Sequence, residues 1–209
     1  MTEAARQSLQ ILRSTAEFQW YVVPLLAGVV YAYAVEAQRR DWHALIAGLA
    51  FWVNEFLYEI FNSLVLRFTG HAPLWCTPGK TAYLITTGLN VEIAAMFAVA
   101  GLVQIKLLSP DRNEKILGIS NRLVIPTLLG LFCVAVEVTL NRWGALVWEY
   151  WWWRWPNIYL LVIGYCAPFY LLTWFHDRFS IRAKTIVLAI WLGLAVVAWL
   201  VFAVRLRWI

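Results

Sequence analysis

Apolar residues run in six stretches of membrane-spanning length, about 18–37, 44–67, 82–105, 122–141, 157–175 and 184–204, parted by short polar connections. A hydrocarbon core about 30 Å thick is crossed by roughly 20 helical residues. Within it every backbone N–H and C=O must be satisfied inside the segment, so such stretches read as helices. The pattern predicts an all-α fold: a polytopic membrane helix bundle of about six transmembrane helices. With 62% hydrophobic and 14% charged residues over 209 positions, the spans use nearly the whole chain. Residues 1–209 read as a single transmembrane domain, with a polar N-terminal segment at 1–15 and a Trp-rich interfacial segment at 142–156. Any chemistry must then occur in or at the bilayer.

The first fifteen residues lack a compact apolar core with a small-residue cleavage site, so no removable signal peptide is expected. The expected location is integral to an inner (plasma) membrane of bacterial type. The net charge of +5 is scattered through short loops, with no basic run interleaved with aromatics. That reads as membrane-surface charge, with no nucleic acid as a partner. Cys76, Cys133 and Cys166 have neither CxxC nor CxxxC spacing, and the three His are far apart. Neither a metal site nor a disulfide framework is expected. No Gly-rich phosphate loop, nucleophile elbow or other cofactor motif appears, so no cofactor is expected.

The segment WVNEFLYEIFNSLVLR, from Trp52 to Arg67, carries Glu55, Glu59 and Asn62 at i, i+4 and i+7 of a helix. They share one face among Phe, Leu, Ile and Val. An ionisable group inside a spanning helix is costly unless it is paired or faces a wet interior, which marks it as a candidate site. The fourth stretch supplies Glu137 and Asn141 on one face with Gly130 and Cys133. In the third, Asn90 shares a face with Thr86, whereas Glu92 points about 200° away, toward a separate contact with small neighbours. The polar 106–122 connection is expected to be a solvated loop with a short surface helix opening at Asp111 and Glu114. The sixth stretch has no deep polar group and reads as a packing helix.

Alternating the stretches puts the N-terminus, the 68–81 loop, the 142–156 segment and the C-terminus at one end. Glu59, Asn62, Glu137, Asn141, Asn157 and Tyr159 approach that end, with Glu55 and Asn90 deeper; His176 and Asp177 fall at the other. Lys and Arg divide almost evenly, eight against nine, so the charge bias leaves orientation open. Gly70, Pro73, Pro78 and Gly79 break any helix after the second stretch and predict an ordered loop capped by Trp75, a candidate lid. His71 reads as a loop residue. Six Trp in residues 142–156 read as an aromatic belt that lies flat in the interface.

The plain reading of the acids is helix pairing, with Arg67 or Arg142 as partners and Arg154 near enough to join them. The sharper reading is acid–base chemistry, since a carboxylic acid in an apolar cleft can hold a proton and hand it to a bound substrate. Glu59, Glu137 and Glu55 are then the catalytic candidates. Asn62, Asn90, Asn141, Trp148, Tyr159 and Trp75 are the candidate substrate-binding residues, and aromatic faces in such a cavity would stabilise a carbocation. A non-enzymatic lipid-binding or accessory membrane subunit is the alternative, with a proton-coupled transporter behind it.

Tyr58-Glu59, an aromatic followed by a Glu in an early span, resembles the WE-type motif of small integral-membrane terpenoid cyclases, with Asn54-Glu55 in the neighbouring register. Glu137, Trp148 and Pro156-Asn157 resemble the acid, Trp, Pro-Asn order of carotenoid hydratases. The cyclases are usually seven-span proteins with an acid in the last span, which this chain lacks. The resemblance implies an apolar isoprenoid or lipid substrate taken from the bilayer and protonated toward cyclisation, isomerisation or hydration. Sterol-isomerase-like membrane proteins, in which buried acids and a Trp handle a carbocation, are similar in chemistry.

Overall fold

The computed structural model describes residues 1–16 and 18–209. The chain is mostly helical. An amphipathic surface helix α1 (Glu3–Ile11) precedes α2 (Val22–Gln38), α3 (Trp42–Thr69), α4 (Val91–Leu107) and α5 (Asn121–Arg142). A π-helical segment (Leu160–Cys166) runs into α6 (Ala167–Arg178), and α7 (Ile181–Ala198) continues as a second π-helical segment (Trp199–Arg205). Trp42–Thr69, Asn121–Arg142 and Ile181–Arg205 are long and apolar enough to cross a membrane, and Val22–Gln38 is a shorter apolar helix.

α3 is the central element, packed against α4 on one side and α7 on another. Its N-cap Asp41 accepts from Ala44 N–H at 3.1 Å, and it stops at Gly70, whose φ of 62° suits a residue without a side chain. Small residues bring α4 close: a Cβ on Gly101 would lie 2.9 Å from Phe51 Cβ. Phe51 in turn stacks on Phe169 of α6 at 5.1 Å, so the core of the bundle joins α3, α4 and α6.

The third helix starts at Val91, not near residue 82. Asn90 is extended (φ −101°, ψ 170°) and caps α4 by accepting from Ile93 N–H at 2.8 Å. Residues 82–90 are apolar because they are buried as a loop: Ala82, Leu84, Thr86, Thr87 and Leu89 are all inaccessible. Their polar groups are met locally, with Ile85 N–H donating to Leu89 O at 2.8 Å and Leu89 N–H to Thr86 Oγ1 at 3.1 Å. A run of burial-competent residues therefore looks like a span whether it is helix or packed loop.

The 108–120 connection forms no helix. It is a hairpin of β2 (Lys115–Ile116) and β3 (Ile119–Ser120), turned at Leu117 and Gly118, both at positive φ. At that end of the bundle Arg122 pairs with Asp177 through Nε (3.0 Å) and Nη2 (3.2 Å), and Lys106 bridges Glu36 (2.9 Å) and Asp41 (3.1 Å). The start of α7 is not purely apolar packing: Lys184, fully buried, lies 3.0 Å from His43 Nδ1 and 3.4 Å from His176 Nδ1.

The opposite end is closed by a lid. β1 (Trp75–Cys76) pairs antiparallel with β4 (Val147–Trp148), Trp75 opposite Trp148 and Cys76 opposite Val147. α1 covers this ribbon, with Thr2 Oγ1 donating to Glu149 Oε1 at 2.5 Å and Ala5 and Ser8 buried beneath. Arg13 joins the same end to the C-terminus, donating to Ile209 O at 2.6 Å and lying over Trp199. The Trp-rich segment therefore does not lie flat. Trp148 pairs into the ribbon and Trp153 turns inward, while Trp143 and Trp151 stay exposed.

Candidate functional site

The i, i+4 spacing on α3 and the inward face of α5 bring Glu55, Glu59 and Glu137 to one cavity of about 90 Å3 beneath the lid. Trp75 and Trp153 cover it, their rings stacked at 5.7 Å and 22°. Phe97 of α4 and Tyr165 of the π-helical segment complete its wall, and Tyr58 and Ile163, both well exposed, form its rim.

Glu59 is 5% exposed, and Trp75 Nε1–H donates to its Oε1 at 2.9 Å. Oε2 has no hydrogen-bond partner among the described residues. A carboxyl group held in this way carries any proton on Oε2, because Oε1 is already committed as an acceptor. Gly88 is the reason the carboxylate fits: a Cβ there would lie 2.7 Å from Glu59 Oε2, 2.7 Å from Trp75 Nε1 and 2.5 Å from Asn62 Nδ2. Glu137 is also buried, and its Oε2 accepts from the Tyr165 hydroxyl. Glu55 makes no hydrogen bond among the described residues.

Among the described residues, none of the three acids has a basic partner. Arg67, expected as one, instead lies over the Trp208 ring at 5.3 Å, and every ion pair among the described residues leaves these acids out, as it does Arg142 and Arg154. Helix pairing through Arg67 or Arg142 is therefore not what holds them. Desolvated carboxylates without a counter-cation cost several kcal/mol each unless they take up protons or a cation.

The asparagines have other work than lining the cavity. Asn62, fully buried, fastens the lid: its Nδ2–H donates to Trp75 O at 2.8 Å, and its Oδ1 accepts from Leu74 N–H (2.7 Å) and Trp75 N–H (3.3 Å). Asn90 is the α4 cap already described. Asn141 donates to Leu146 O at 2.9 Å and closes the turn after α5. Tyr159 is 62% exposed and lies off the cavity lining, as does Trp148, whose buried indole N–H is unpartnered among the described residues. Glu92 belongs to a separate clasp, accepting from Thr81 Oγ1 (2.6 Å), Ala82 N–H (2.8 Å) and the Tyr21 hydroxyl. His71 stays in the exposed loop, edge-on to Tyr150.

Trp153, Tyr165 and Phe97 were not singled out from the sequence, and Gly88 only as one of the small neighbours of Glu92. Tyr165 faces Glu137 because the π-helical segment before Pro168 widens the helical repeat beyond 3.6 residues and rotates later side chains. Trp153 was hidden in a run of equivalent Trp, and Gly88 offers no side chain to notice. In the lid, burial pushes the Cys76 thiol up to about 12, with the Glu149 carboxylate adding to the effect.

The model of the Uncharacterized membrane protein family matches residues 2–204. A protein of Archaeoglobus fulgidus described as "Uncharacterized protein" is 44% identical over 210 residues, spanning 100% of this chain and 99% of the relative. No solved structure matches the chain. The relative is archaeal, so nothing ties this chain to a bacterial membrane in particular. With a match along nearly its whole length, the chain belongs to this family of integral membrane proteins.

Proposed function

We propose that the protein is a membrane-embedded enzyme that protonates an apolar isoprenoid or lipid substrate, leading to cyclisation, isomerisation or hydration. In this reading the three helices long enough to span are joined by the shorter apolar helical segments, Val22–Gln38 among them, to make about six crossings of a plasma membrane. The observation that carries it is the meeting of three carboxyl groups in one aromatic-walled cavity, unpaired with any base among the described residues and with Glu59 Oε2 unpartnered among them. Glu59 delivers its Oε2 proton to an alkene carbon. The π electrons form the new C–H bond and leave a carbocation facing Trp75, Trp153 and Phe97. Glu137, oriented by Tyr165, then takes a proton from the adjacent carbon or from an added water, with Glu55 as its neighbour. The exposed rim at Tyr58 and Ile163 suits entry from the lipid side.

The test is Glu59→Gln, which keeps shape and removes the acid. Incubated with isoprenoid lipids in nanodiscs, the wild type should give product and the variant none, while both elute and melt alike. Wild-type turnover in the variant overturns the assignment. Lowered stability in the variant, with no lipid turned over by the wild type, points instead to a lipid-binding accessory subunit.

A further inference from the structure

The cavity that holds the three acids is lined by acidic and aromatic side chains. Among the described residues no Lys, Arg or His lines it, so a phosphate or carboxylate head group would meet only like charge there. Three carboxyl groups and the rings of Tyr58, Trp75, Phe97, Trp153 and Tyr165 surround the same space. Aromatic faces present negative quadrupole to a cation, and the attraction strengthens when both sides are desolvated. Glu59 adds an independent sign of a missing partner: it is 5% exposed, and its Oε2, fronting Gly88, makes no hydrogen bond among the described residues. The volume of about 90 Å3 is several times what one water requires, so it suits a compact group, either a small ligand or the reacting end of a lipid whose remainder stays outside.

We propose that this cavity binds a compact quaternary ammonium cation carrying a trimethylammonium group, held between the carboxylates of Glu55, Glu59 and Glu137 and the indoles of Trp75 and Trp153. The inference concerns the same cavity as the reading above and rests on it in one respect, that the three acids face whatever occupies it. The same field that favours a developing carbocation favours a permanent ammonium ion. Entry of a cation also relieves the cost of burying carboxylates without a counter-charge.

The experiment compares choline with 3,3-dimethylbutan-1-ol, its neutral carbon isostere, by calorimetry on the full-length protein in nanodiscs. Choline should bind at least tenfold more tightly than the isostere. The Glu55→Gln/Glu137→Gln double variant should lose at least tenfold of that affinity. Equal affinity for choline and the isostere in the wild type, a comparison that needs no variant to fold, overturns the proposal; so does unchanged choline binding by the double variant. Choline binding without any lipid turnover leaves this inference standing and removes the enzymatic reading. Lipid turnover without choline binding does the reverse.

Discussion

Gly88→Ala is the sharpest probe of the site, because it adds one methyl group where three functional side chains already meet. The backbone of Gly88 is not in the left-handed region, so the effect is steric. The new Cβ would stand 2.5 Å from Asn62 Nδ2 and 2.7 Å from both Glu59 Oε2 and Trp75 Nε1. Ends of side chains often move aside cheaply, but these are tied. Asn62 holds Leu74 and Trp75 through three hydrogen bonds, and Trp75 Nε1 is held on Glu59 Oε1. Relief therefore means breaking at least one buried hydrogen bond or lifting the lid. Overpacking of this kind costs about 2 kcal/mol, with a lost buried hydrogen bond within the same range. For a chain of this size that lowers Tm by roughly 4–8 °C. Thermal unfolding in nanodiscs would read it, with Gly28→Ala as control, since nothing lies within 4 Å of a Cβ there. Gly28→Ala should be neutral or slightly stabilising, as alanine favours a helix. Equal melting of Gly88→Ala and wild type, with unchanged lid accessibility, would refute the packing of Gly88 against Glu59, Trp75 and Asn62.

Asn62→Ala removes the lid fastening and leaves part-buried backbone groups of Leu74 and Trp75 unpaired, at about 2 kcal/mol. Because Cys76 is fully buried and its thiol is pushed up to about 12, maleimide labelling requires lid opening and should accelerate at least tenfold in this variant. Tyr165→Phe removes the donor to Glu137 and should lower turnover about tenfold, the effect of roughly 1.4 kcal/mol, with little change in Tm; full activity would remove Tyr165 from the site. Asp177→Asn at the opposite end breaks the two-point pairing with Arg122, whose side chains are 15% and 14% exposed, and should cost about 2 kcal/mol in thermal unfolding without altering activity.

The membrane class of the chain, the helix that carries Glu55 and Glu59, and the facing position of Glu137 were legible in the sequence. Each depends on local regularity: hydropathy measures the medium a segment tolerates, and a 3.6-residue repeat places i and i+4 on one face. The same reasoning put the N-terminus, the 68–81 loop, the Trp-rich segment and the C-terminus at one end, where Thr2, Trp75, Glu149 and Arg13 join them. It failed where apolar residues are buried outside a helix, as in the loop before Asn90, and where a hairpin replaced the helix expected after Leu107.

The partners of the acids were beyond the sequence for a physical reason. Asn62 lies on the predicted face, yet it serves the lid backbone, because hydrogen-bond partners depend on which loop folds over a helix and not on its periodicity. Tyr165 reaches Glu137 only through a π-helical segment that shifts the repeat, and Gly88 matters only because three side chains approach it. The sequence by itself determined that carboxyl groups would be buried in an apolar bundle. Only the tertiary structure decided that they share one cavity and that, among the described residues, they lack a basic partner and leave Glu59 Oε2 without a hydrogen bond, since those properties arise from contacts between segments far apart in the chain.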